Sequence, residues 1–167
     1  MKGLIAAALA AFIALPICLA AQQSKVSDAV RVVRQLYADF ACEAVIDDPG
    51  CDSRHELLDQ PRTVLERYFD APLAGLWIAD RACAARAREE CRLNFLPIWA
   101  SQDPSGSFIR ILPTADSTQV DVELRHPYYQ EPRILRYTLV RTKAGWRIHD
   151  IALGREWALV ALLSGKP

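Results

Sequence analysis

The sequence predicts an α+β domain: helices in the first half packed on an antiparallel sheet of about four strands, closed by a short C-terminal helix. Two observations carry this. Apolar residues recur at spacings of three and four through the first half, and the period changes to two after "NFLPIWASQDPSG". Turn-forming stretches separate the alternating segments, and helices followed by hairpin-connected strands pack as a sheet with one face on the helices.

Taken in order, Ser27 is placed to cap a helix in which Val30, Val33, Tyr37 and Phe40 form one apolar stripe and Arg31, Arg34, Gln35 and Asp39 face water. Asp47-Asp48-Pro49-Gly50 is a turn by composition. A second helical region starts near Gln60-Pro61 and directs Leu65, Tyr68 and Phe69 inward. Ala71-Pro72 interrupts it, and helical spacing resumes with Leu73, Leu76, Trp77 and Asp80. The alternating segments are "SFIRILP", "QVDVELRH", "RILRYTLVRT" and "GWRIHDIA". In the second of these Val120, Val122 and Leu124 share one face while Asp121, Glu123 and Arg125 share the other. Lys143-Ala144-Gly145 is short enough for a hairpin, and "EWALVALLS" reads as the closing helix.

The first 20 residues are expected to be a cleaved signal peptide: Lys2 precedes an apolar run that ends in Cys18-x-Ala20. Ile17 ahead of Cys18 argues against a lipoprotein, because the residue before a lipidated cysteine is normally small. Removing 20 of 167 residues leaves 147, residues 21–167, which read as one domain without a further membrane span. Loss of Lys2 leaves 19 basic against 20 acidic residues, a balance that argues against nucleic acid as a partner. The expected compartment is the periplasm.

Of the five cysteines, Cys18 departs with the leader and Cys42, Cys51, Cys83 and Cys91 remain, an even number that suits two disulfides in an oxidising compartment. Three connectivities are open; the local pairs Cys42 with Cys51 and Cys83 with Cys91 are favoured. The second pair makes a demand on the backbone. Residues eight apart on an unbroken helix lie about 12 Å apart, roughly twice the Cα separation a disulfide spans, so the helix has to end or turn between them. The spacings lack the short C-x-x-C knuckles of a zinc site, and no metal or cofactor is expected.

"LPIWASQD" before the first strand and "GWRIHDIAL" leading to the closing helix resemble a bacterial envelope family known as a domain of unknown function, within the nuclear transport factor 2-like (cystatin-like) superfamily. The resemblance covers about Val26 to Leu163. It implies a curved sheet wrapped around helices as a cone enclosing a pocket, and it implies no activity, since such cones host enzymes, ligand binders and interaction modules alike.

Candidate functional residues are few. Strict alternation puts Trp146, Ile148 and Asp150 on one face of their strand and His149 on the other, so the adjacent pair cannot act together on one substrate atom. Asp150 is then a buried acceptor for an arginine or for backbone amides, or alternatively the general base of a small dehydratase- or isomerase-like pocket. His55 reads as surface, His126 as a loop residue and Asp103 as a turn former. No nucleophile elbow, zinc-protease helix, phosphate loop or dinucleotide fingerprint occurs, so no catalytic residue is assigned. "RHPYYQEPR" sets Tyr128 and Tyr129 between two prolines and two arginines, Arg125 and Arg133. Tyrosine and arginine dominate interface hot spots, so these four residues are the expected protein-binding loop. The function expected is a non-catalytic periplasmic binding module, such as an immunity protein against a secreted toxin or an accessory of an envelope complex.

Overall fold

A computed structural model describes residues 27–45 and 56–165. The expected leader, the Asp47–Gly50 turn, His55 and Cys51, and with it the Cys42–Cys51 bridge, lie outside the described residues. Helix α1 (Asp28–Asp39) starts where the Ser27 hydroxyl accepts from the Val30 amide, 3.3 Å away. Its buried stripe includes Val30, Val33, Leu36 and Tyr37. A 3-10 turn (Ala41–Ala44) follows, and a second (Leu57–Asp59) leads to the short helix α2 (Arg62–Leu65).

Helix α3 (Ala71–Ala87) begins at Asp70, whose carboxylate accepts from the Leu73 amide at 2.9 Å. Pro72 falls in its first turn, where no backbone donor is lost, so it starts this helix rather than breaking a longer one. The helix ends at Ala87 because Arg88 adopts a left-handed conformation (φ 58°). That turn brings Cys91 back to Cys83, and the two form a disulfide with Cα atoms 6.1 Å apart. The buried Asp80 closes the same turn by accepting from the Arg92 and Leu93 amides at 3.0 and 3.2 Å.

The sheet is antiparallel and strictly sequential: β1 (Phe108–Pro113), β2 (Gln119–Arg125), β3 (Arg133–Thr142), β4 (Gly145–Leu153) and a two-residue β5 (Trp157–Ala158). The last strand was not expected; it pairs Ala158 with Ala152 and Trp157 with Leu153 before α4 (Leu159–Ser164) begins. Val120, Val122, Leu124, Leu135, Tyr137 and Leu139 point inward against the helices. Each large apolar side chain fully buried contributes about 1.5–3 kcal/mol, against about 1 kcal/mol for a helix cap, so this shared core holds the layers together and the caps set where helices start. No helix among the described residues is long and apolar enough to cross a membrane.

One irregularity governs the rest. In the β3–β4 ladder Leu139 pairs with Ile148 and Thr138 with Asp150, so His149 is an extra residue, a β-bulge. Inward-facing positions therefore run Ile148, Ile151, Leu153, all buried, instead of keeping a period of two. The expectation that Asp150 shares the face of Ile148 is corrected here: the bulge turns both His149 and Asp150 away from the core.

Candidate functional site

Two adjacent ionisable side chains on one side of a bulged strand reach different helices. His149 Nδ1 donates to Asp70 at 2.5 Å, so the carboxylate that caps α3 with one oxygen binds imidazole with the other. Asp150 Oδ1 accepts from the Ile151 amide at 2.9 Å and from the Val160 amide at 3.0 Å. Val160 lies in the first turn of α4, where backbone N–H groups have no intrahelical partner. Asp150 supplies that partner from a neighbouring strand, since Ala158 at the cap has no side-chain acceptor.

Large aromatic side chains occupy the interior. Trp77, Tyr137 and Phe69 are fully buried and Trp99 nearly so, while Trp146 on the β3–β4 hairpin is partly buried and packs against this core. A polar chain threads this core: the Tyr37 hydroxyl donates to the Ile98 carbonyl at 2.5 Å and, its proton so used, accepts from Tyr137 at 2.8 Å. Burial raises both phenols above the ordinary tyrosine range. Tyr37 meets Trp99 edge to face, and the Trp99 indole donates to Glu43 at 2.7 Å. The other Glu43 oxygen accepts from the Leu57 amide at 2.6 Å. Burial pushes this carboxyl up to about 7, outweighing the two donors that favour its charged form.

The loop after β2 is built around His126. This histidine follows β2 at the start of the loop and is buried, with Nε2 donating to the Asp103 carbonyl at 2.7 Å and Nδ1 accepting from the Tyr128 amide at 3.2 Å. Both tyrosine rings pack on the imidazole, at 5.2 and 4.9 Å. Their exposures nonetheless differ: Tyr128 is 80% exposed and Tyr129 44%. The Arg133 guanidinium packs over Tyr129 while bonding the Ala100 carbonyl and Glu156, so Arg133 braces the loop from below. Arg125 is presented outward and shares the Glu123 carboxylate with Arg110. These two guanidinium groups hold Glu123 below the usual carboxylate range.

Two further residues join this corner. Phe108 pairs with Arg125 across β1 and β2, and Ile134 pairs with Glu123 across β2 and β3, so both stand on the outer face. Phe108 is 73% exposed and Ile134 39%. The sequence carried a signal for them: in "FIRILP" Phe108 has the parity of Arg110, and in "RILRY" Ile134 has that of Arg136. Among the described residues no group of His, Cys, Asp or Glu could hold a metal ion. No family model matches the chain, and neither a curated protein nor a solved structure does.

Proposed function

We propose that the protein is an exported, non-catalytic protein-binding module of the bacterial periplasm, with a nuclear transport factor 2-like fold. It acts through the corner formed by Tyr128, Phe108, Ile134 and Arg125, and is the kind of module that blocks a secreted toxin or serves an envelope complex. The exposure of two large aromatic side chains beside paired strand ends is the observation that carries this reading. Exposed aromatics rimmed by charge are what an interface core needs, and the His126-anchored loop holds Tyr128 in place before binding, which lowers the ordering cost. Two arginines sharing one glutamate leave the corner with one net positive charge, which suits an acidic partner surface. The Cys83–Cys91 disulfide is compatible with an oxidising compartment. The commitment of Asp150 to backbone amides favours contact over a pocket reaction.

A photo-crosslinking residue placed at position 128 in cells tests this reading, with the captured protein purified for calorimetry. A Tyr128→Ala, Phe108→Ala double variant is expected to weaken that complex by about thirtyfold or more, the cost of two hot-spot truncations, without loss of folding. Unchanged affinity, or no crosslinked protein at all, overturns the assignment.

A further inference from the structure

A groove of about 510 Å³ lies elsewhere on the molecule, sharing no residue with the tyrosine corner. One wall is the exposed side of α1, where Asp28, Arg31, Val32, Gln35 and Asp39 recur at helical spacing. The facing wall is the end of the β3–β4 hairpin, with Arg141, Trp146 and Arg147, and Arg67 and Tyr68 also line the space. Its volume falls within the roughly 300–1,000 Å³ of small-molecule sites.

The charges are arranged unequally. Both acids are occupied: Asp28 binds Arg31 at 2.5 Å, and Asp39 accepts from Gln35 at 2.7 Å and from the Tyr68 hydroxyl. Burial, and then that carboxylate partner, raise the Tyr68 phenol to about 12. Arg67, Arg141 and Arg147 form no ion pair among the described residues. Arg147 is nevertheless fixed, its Nε donating to the Glu66 carbonyl at 2.8 Å and its Nη1 to the Trp146 carbonyl at 2.7 Å. Two neutral carbonyls orient this guanidinium without cancelling its charge, and its Nη2 is left to a ligand. Arg141 stands over the Trp146 ring, 5.9 Å from its centre. Four arginines against two aspartates leave an excess of two positive charges beside an indole, in a chain whose formal net charge is zero.

We propose that this groove binds a small organic anion with a flat apolar body. The anionic group sits on Arg147 Nη2 with Arg67 and Arg141 beside it, and the body lies against Trp146 and Val32. A guanidinium preset by two carbonyls, with two more arginines beside it, favours a carboxylate or phosphate, and the indole supplies the apolar contact a free inorganic ion does not use.

Phenylacetate and phenyl phosphate are the probes, with benzyl alcohol and inorganic phosphate each lacking one half of the ligand. Nitrogen–proton NMR of the whole protein reads the Trp146 indole and Arg147 Nε signals. Either organic anion is expected to shift them saturably at about millimolar concentration or below, at least tenfold more tightly than both controls. The stronger of the two anions identifies the headgroup. Arg141→Gln should weaken binding roughly tenfold, as for loss of one charge-assisted contact, and because Arg141 is exposed this variant reads the site even where Arg147→Gln fails to fold. No saturable shift with either anion, equal binding of inorganic phosphate, or an unaffected Arg141→Gln overturns the proposal.

Discussion

Replacing Asp150 by alanine removes one oxygen that serves two backbone amides, those of Ile151 and Val160. Each orphaned donor costs about 1–3 kcal/mol when buried. Asp150 is only half-buried, so water recovers part of that, and the expected loss is about 2 kcal/mol for the pair. For a domain of this length that lowers Tm by roughly 4–8 °C. Asp150→Asn keeps a carbonyl oxygen that can occupy the same position and loses only charge, so it should cost about half as much. Urea unfolding of both variants measures the difference, and hydrogen exchange at the Val160 amide localises it to the start of α4. An asparagine as damaging as alanine refutes the acceptor account. An alanine within about 0.5 kcal/mol of the parent shows instead that buried Leu159 and Leu163 hold α4 unaided.

Two other outcomes are expected. The Glu43 carboxyl, raised to about 7, keeps its proton in the folded protein where the unfolded chain has released it, so its contribution is full below about pH 4.5 and lost as pH rises towards 7. Urea midpoints should fall across that window by an amount equivalent to about 3 kcal/mol, and Glu43→Gln should flatten the slope; a slope unchanged in the variant assigns it to other groups. Joint replacement of Cys83 and Cys91 by serine should cost about 2–3 kcal/mol, as for a short loop, while Asp80 keeps the turn closed; nuclear Overhauser contacts between Asp80 and Leu93 that vanish in the variant would refute that division of labour.

Much of the fold was legible because local rules and tertiary packing agree. Ser27 caps where a serine before an apolar stripe should, and four strands stand where alternation meets turn residues. The Cys83–Cys91 spacing alone required the helix end that Arg88 provides. The bulge was harder. It left one trace, a change of parity between Ile148 and Ile151, and reading the strand with an unbroken period of two placed Asp150 on the wrong side. Strand β5 is too short for any period to register. Of the loop after β2, the exposed Tyr128 was readable from its proline-flanked setting, but the bracing role of Arg133 was not, because its partners Ala100 and Glu156 are distant in sequence. The arginine groove was invisible for the same reason: α1, residues 67 and 68, and the β3–β4 hairpin meet only in the folded chain.

The extra residue at His149 also ties together separate parts of the molecule. Through Asp70 it touches the start of α3, and through its neighbour Asp150 the start of α4, so a single dipeptide fastens the leading turns of two helices far apart in the chain. Neither helix can fray from its front end without disturbing the strand that also steadies the other. The front turns of α3 and α4 should consequently behave as one cooperative opening unit, with the Leu73 and Val160 amides exchanging through a shared event, whereas the rear of α3 answers to its own staple at Cys83 and Cys91.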